Sequence, residues 1–355
     1  MVASVSRLVC LSLLVATVTA ERHASYDEWK QSKYYKEACN KKFLPPSSFS
    51  QNTGEFSMGT ATGSGDSSVT AVEKKRFDQA LTDIEELQKL HPYAKFSVNT
   101  PFALMTHDEF LAYVNRNNVN PDLNPLHHTT HSTSSSSNSS APMTGAGATT
   151  TTSSGSKDGG LKTSAAASGE TVDWQQKGCV TAVKDQSQCG ACWAFSATAA
   201  MESGVCVETG GASLPNLADQ ELISCDNSGQ SQGCGGGYAS YTMDWIANSR
   251  AGKMCTLDSY PFTSSDGNVP GCKLSSCTEV DIGVTGFQSL RKDPSAQEDI
   301  VRSRPVSVFL YSGSRAFQFY SGGILTGENC DKTGAHSGLA VGFGEENEPV
   351  GYTVG

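Results

Sequence analysis

Cys189-Gly190-Ala191-Cys192-Trp193 is followed, 144 positions after Cys192, by His336, the only histidine beyond position 131. A thiol and an imidazole are what nucleophilic attack on an acyl carbon requires, because the base activates the sulfur and then protonates the leaving amine. After Trp193 come Ala194, Phe195, Ala197, Ala199, Ala200 and Met201. So few polar positions predict a helix buried on most sides, with Cys192 at its N-terminus. Unpaired backbone N–H groups and the helix dipole favour a thiolate there, and an imidazolium beside it favours it further. A second chemistry is open at this point: Cys189 and Cys192 form a Cys-x-x-Cys pair of redox type, which needs a compact βαβ unit but no distant histidine. Zinc ranks below disulfides, since a single late histidine and no second Cys-x-x-Cys supply too few ligands. No metal or cofactor is expected.

The bulk composition narrows the classes. Of twelve cysteines, ten lie from Cys179 onward. Arg7 precedes an apolar run from Leu8 to Val18, too short to span a bilayer, and Val18-Thr19-Ala20 offers small residues for cleavage, so residues 1–20 read as a signal peptide. That predicts a secreted or lysosome-like destination, where cysteines pair and staple loops around a moderate core. The net charge is −10, with 15 basic and 15 acidic residues before Ala165 against 11 and 21 after it. A polyanion is repelled by such a C-terminal part, so nucleic acid is not an expected partner, and no second apolar segment is long enough for a membrane.

Tyr26 to Asn40 and Glu73 to His91 have helical character. In the second, Phe77, Leu81, Ile84, Leu87 and Leu90 recur on one face, and Pro92 stops the helix just past its end. Such a helix needs a partner surface; any small helical domain is the plain alternative. From His127 to Ser156, 18 of 30 residues are Ser or Thr, with almost no large apolar side chain to offset ordering entropy. Residues 127–164 are therefore expected to be a disordered, cleavable linker, and Asn138-Ser139-Ser140 is a glycosylation sequon. Gly233-Cys234-Gly235-Gly236-Gly237 lacks the Lys-Ser/Thr of a phosphate loop.

The Cys-Gly-Ala-Cys-Trp motif with its distant histidine resembles the signature of the papain family of cysteine peptidases. Further residues carry the likeness. Thr171-Val172-Asp173-Trp174 resembles the start of the mature fold, Gln186 stands six positions before Cys192, and Ser337 to Gly344 resembles the strand after the family's histidine. Before the linker, Glu73, Arg76 and Leu87 match the helix motif of papain-family propeptides, with Ala80 and Asp83 at its aromatic and asparagine positions. Val98 to Phe110 resembles the propeptide segment that ends in an acidic pair and phenylalanine, with Leu104 where an aspartate is usual. The resemblance implies an α+β, two-lobed fold with a helical left lobe and an antiparallel, barrel-like right lobe at 165–355, preceded by an inhibitory propeptide at 21–126.

By that resemblance the chain is a cysteine endopeptidase zymogen acting on extended peptides, regulated by its own propeptide and by cystatin-like inhibitors, and monomeric. A catalytically silent homologue that only binds peptides or inhibitors is the rival. Cys192 and His336 are the catalytic pair, and the Gln186 side chain with the Cys192 N–H forms the oxyanion hole. Gly235 and Gly236 form the glycine wall along which substrate lies; Ala239, Phe309 and Ala335 border a shallow specificity pocket. The implied bridges are Cys189–Cys234, Cys225–Cys272 and Cys179–Cys206, with Cys255 and Cys277 left over as a further pair. Tyr352 to Gly355 resembles the lead-in to the Asn-Ser-Trp-Gly segment that orients the histidine. That asparagine, and the partner of Cys330, are expected beyond Gly355, so the chain reads as C-terminally incomplete.

Overall fold

The computed structural model describes residues 24–46, 67–115, 170–289, 294–327, 332–344 and 351–354. The signal stretch, the Ser/Thr-rich linker with Asn138, and Cys330 lie outside these residues.

The N-terminal part is helical, and its capping residues say why. Helix α1 (Tyr26–Lys30) begins at a capping box in which Ser25 and Glu28 satisfy each other's backbone N–H groups. Ser32 then takes the Tyr34 and Tyr35 N–H groups at the start of α2 (Lys33–Asn40), so the helical character expected from Tyr26 to Asn40 is divided between two helices. Helix α3 spans Ser67–Leu90 and starts six residues before Glu73. Those residues give no apolar stripe to read, and Val72 is exposed. Phe77, Ala80, Ile84 and Leu87 are buried against Tyr26 and Trp29, whereas Leu90 is 51 % exposed because the core ends one turn earlier. Strand β1 (Ala94–Phe96) follows, then α4 (His107–Val114), opened by a Thr106–Glu109 capping box. Arg76 reaches from α3 to Glu109 at 2.5 Å and to the Leu104 carbonyl at 2.9 Å.

The C-terminal part opens with the short strand β2 (Val172–Asp173) and the long helix α5 (Cys192–Glu208). Around α5 stand α6 (Asp219–Cys225), α7 (Ala239–Ser249) and the hairpin-like pair β3 (Lys253–Cys255) and β4 (Glu279–Asp281). Trp193, Ala194, Ala197, Leu217, Leu222, Ile246 and Met254 form their common core. Bridges Cys179–Cys206, Cys189–Cys234, Cys225–Cys272 and Cys255–Cys277 close segments of 22 to 47 residues. On chain-entropy grounds each contributes about 3 to 4 kcal/mol. Because Cys189 is bonded to Cys234, a Cys189–Cys192 redox pair does not form.

The other half comprises α8 (Pro294–Ser303), β5 (Val306–Tyr311), α9 (Arg315–Phe319), β6 (Tyr320–Gly323), β7 (Ala335–Gly344) and β8 (Gly351–Val354). Strand β7 is central to an antiparallel sheet, paired with β2, β5 and β8. One face of this sheet packs on α5. Ser196 of α5 donates to the Gly338 carbonyl at 2.6 Å, and the Ser307 hydroxyl lies 2.6 Å from its oxygen.

The N-terminal part is welded to this half by backbone. Strand β1 pairs antiparallel with β6, aligning Ala94 with Gly323 and Phe96 with Tyr320. Ile324 N–H donates to the Tyr93 carbonyl at 2.8 Å. Gly323 has φ +75°, and a Cβ there would stand 2.3 Å from that same carbonyl oxygen, so only glycine fits. Ala316 and Phe319 of α9 complete the core around Trp29, Phe77 and Leu104. Gln318 donates to the carbonyls of Phe102 and Met105, and Arg315 pairs with Asp83.

Candidate active site

Cys192 is 4 % exposed and is one of two free cysteines among the described residues, the other being Cys39. Its position follows from the loop before it. Ser187 takes a left-handed backbone, φ 51°, held by its N–H donating to the Asp185 carboxylate at 2.7 Å. The turn brings the Gln186 amide back, so that Nε2 donates to the Cys189 carbonyl at 3.0 Å while Cys189 N–H donates to the Gln186 carbonyl at 3.1 Å. A primary amide has two N–H donors, and this bond uses one. Gly190 N–H is tied to the Cys234 carbonyl at 3.0 Å. Ala191, at the N-cap, offers no side-chain cap; Ala194 N–H turns back to the Ala191 carbonyl at 2.9 Å, which leaves the Cys192 and Trp193 N–H groups to the site.

The backbone N–H and hydroxyl of Ser337 and the N–H groups of Trp193 and of Cys192 itself favour ionisation of the Cys192 thiol. Burial nevertheless dominates and pushes the thiol up to about 11. His336, one residue before Ser337, opposes Leu310 across the β5–β7 ladder. Desolvation holds its imidazole below the ordinary histidine value. Burial thus works against the charged form of each group, the thiolate of Cys192 and the imidazolium of His336. The physical reason is desolvation, which disfavours both charged forms.

The remaining predicted residues flank this point. Gly235 ends a short 3-10 turn, and Gly236 has φ +115°. Their neighbour Gly237 is dictated by packing, since a Cβ there would stand 2.6 Å from the Trp193 ring, whose Nε1 donates to the Gly233 carbonyl at 3.1 Å. Ala239 begins α7, and Ala335 begins β7 opposite Tyr311, both half-buried. Phe309 is 42 % exposed, its ring edge-on to Tyr311 at 5.6 Å and its backbone opposite Ser337. Among the described residues no His, Cys, Asp or Glu cluster suits a metal ion, and no helix is long and apolar enough to cross a membrane.

The N-terminal part touches the site from two sides. Next to Gln186, Lys41 pairs with Asp185 at 2.8 Å and its carbonyl accepts from Gln188 at 2.9 Å, while the Tyr113 hydroxyl donates to the Ser187 carbonyl at 3.3 Å. Next to His336, a Cβ at Gly334 would stand 2.8 Å from Val114, and one at Gly313 would stand 2.7 Å from Leu111. The end of α4 thus rests on the turn that follows β5 and on the turn that leads into β7. Sequence reasoning missed Ser337 and the Lys41–Asp185 pair; a hydroxyl beside the histidine was the signal for the first, while the second joins residues far apart in the chain.

Residues 168–354 match the family described as papain family cysteine protease, which is over half of the chain. The chain belongs to the papain family. It is 38% identical over 184 residues to the cysteine endopeptidase RepA of Oryza sativa subsp. japonica, covering 52% of this chain and 46% of that one. It is 40% identical over 191 residues to germination-specific cysteine protease 1 of Arabidopsis thaliana, covering 52% and 48%. The chain spans about half the length of the curated relatives it matches. Among solved structures, the proform of the ragweed pollen allergen Amb a 11, a cysteine protease, superposes with TM-score 0.58 at 26% identity over 80% of this chain and 76% of that one. Digestive procathepsin L 3 of Tenebrio molitor larval midgut has TM-score 0.56 at 23% identity over 91% and 88%, a likeness of fold. These papain-family proforms extend over the N-terminal part as well as the matched region.

Proposed function

We propose that the chain is a cysteine endopeptidase made as a zymogen, with residues 21–126 as its inhibitory propeptide, 127–164 as a cleavable linker and the catalytic part within 165–355. The observation that carries this reading is a free Cys192 at the uncapped N-terminus of buried α5, packed against the strand that bears His336. In the active form the Cys192 proton passes to His336, and the thiolate attacks a peptide carbonyl. Negative charge on that oxygen is met by the second N–H of Gln186 and the Cys192 N–H, donors already fixed by the loop. The imidazolium then protonates the leaving amine, and the neutral imidazole activates water to hydrolyse the thioester. Gly235 and Gly236 leave room for an extended peptide, with Ala239, Phe309 and Ala335 bordering a shallow pocket.

Desolvation disfavours both charged forms of the pair in the state described here, which fits a zymogen whose N-terminal part shields the site. Removing that part readmits water and favours the ion pair. Four disulfides suit a secreted or lysosome-like setting, and cystatin-like proteins are the inhibitors this site would meet, on a monomeric enzyme. The test is labelling by an electrophilic peptide epoxide after acid processing. It should modify Cys192 in the wild type and disappear in Cys192→Ala together with peptide hydrolysis. A folded, processed wild type that neither labels nor hydrolyses would make the chain a silent peptide-binding homologue.

A further inference from the structure

Serine follows the histidine, and the pleat of the sheet decides which way it faces. Ser307 opposes Leu339 and Phe309 opposes Ser337 across the β5–β7 ladder. Odd-numbered side chains on these two strands therefore share one face. Ser196 spends its proton on the Gly338 carbonyl, so the Ser307 hydroxyl donates to Ser196, and the shared face is the one packed on α5. Cys192 lies four residues before Ser196, one turn back on the same side of the helix, about 5.4 Å along its axis. The same-face step back along β7, from Leu339 to Ser337, is about 6.8 Å. Ser337 thus lies on the α5-facing side of β7, one same-face step back from Leu339 as Cys192 lies one turn back from Ser196, and its backbone N–H and hydroxyl both favour ionisation of the Cys192 thiol.

We propose that Ser337 is a further catalytic residue, whose hydroxyl donates a hydrogen bond to the Cys192 sulfur and stabilises the thiolate before attack. The proposal rests on the reading of Cys192 as the nucleophile. A buried thiolate needs donors that do not have to reorganise, and the helix N–H groups are fixed in number. The hydroxyl adds one from the sheet side, at a position where a methyl group would fill the same space and give no proton. The titratable side chains nearest Ser337 along β7 and β5 are His336, one residue before it, and Tyr311, opposite Ala335; neither changes when Ser337 is replaced.

The experiment is the pH dependence of Cys192 alkylation by iodoacetamide in the full chain, read by mass spectrometry on the Cys192 peptide with the Cys39 peptide as internal control. Ser337→Ala should raise the midpoint by about one pH unit, a tenfold loss of thiolate below it, in line with a hydrogen bond to a charged group. Ser337→Thr and Ser337→Val have nearly the same shape and both suit a strand, so they isolate the hydroxyl even if the alanine variant folds poorly. Threonine should keep the wild-type midpoint and valine should raise it. Equal midpoints for threonine and valine would overturn the proposal. A chain that hydrolyses peptides but shows no shift defeats this inference alone, whereas a shift in a chain that never hydrolyses supports the contact and defeats the proposed function.

Discussion

Gly323→Ala should loosen the N-terminal part from the catalytic part without touching either Cys192 or His336. A side chain at φ +75° costs about 1 kcal/mol in backbone strain. Its Cβ would also stand 2.3 Å from the Tyr93 carbonyl oxygen, so β1 must move and the 2.8 Å bond from Ile324 N–H to that carbonyl is lost. With a neighbouring ladder bond weakened, the hydrogen-bond loss is about 2 kcal/mol. The sum, about 3 kcal/mol, is roughly a hundredfold in the docking equilibrium. The assay is the rate at which a peptide epoxide labels Cys192 in the uncut chain at neutral pH, where processing is slow. The variant should label tens of times faster, and its thermal unfolding should show an early transition for the N-terminal helices. Unchanged labelling in a variant that has demonstrably lost the β1–β6 pairing would refute the idea that docking controls access to the site.

Three further outcomes follow from the same geometry. Gln186→Ala should lower turnover of the processed enzyme about a hundredfold with little change in KM, as expected for a donor engaged chiefly in the transition state; a pure KM effect would reassign it to substrate binding. For Asp185, burial opposes ionisation, but Lys41 and the Ser187 N–H outweigh it and hold the carboxyl below its ordinary range. Its share of the docking is therefore complete above about pH 4 and is lost as pH falls through the lowered value. With Asp185 58 % exposed, that share is about 0.5 kcal/mol, so processing should speed up as pH falls from about 4 toward 3, and Asp185→Asn should weaken that dependence about twofold. Asp219, 1 % exposed beside Lys184, is pushed up to about 6 by burial against the pull of that lysine. Its folded value lies above its unfolded one, so it costs stability at neutral pH and that cost fades as pH falls from about 6 toward 4. Asp219→Asn should raise the melting temperature more at pH 7.5 than at pH 4.5, and an equal effect at both would show that the carboxyl is ionised throughout.

Helix α5 was legible from Cys192 onward because a helix buried on most sides needs small apolar side chains there. Helix α3 was legible where it is buried, at Phe77, Ile84 and Leu87, and misread at Leu90, because periodicity records a face and not where the opposing surface stops. Its first turns were invisible, having no buried face. The β1–β6 pairing could not be read from Ala94-Lys95-Phe96, since three residues carry no alternation and their partner lies over two hundred positions away. The charge state of the site was unreadable for a different reason. The motif favours a thiolate, but burial of Cys192 and His336 in the folded chain works against both charged forms, and burial depends on packing that the motif does not record.

Strand β6 has one described strand partner, and it belongs to the segment that processing would remove. A cut in the linker severs the covalent link but leaves the ladder in place, so the freed piece stays put at a local concentration set by its own affinity. If it departs, Tyr320 to Gly323 present a bare row of N–H and C=O groups, the best template in solution for the strand that just left. On the proposed zymogen reading, release is then reversible, and the freed segment would act as a diffusible inhibitor of every molecule already switched on. Activation becomes permanent only when that segment is itself digested, so the time course should show a lag that shortens as enzyme accumulates.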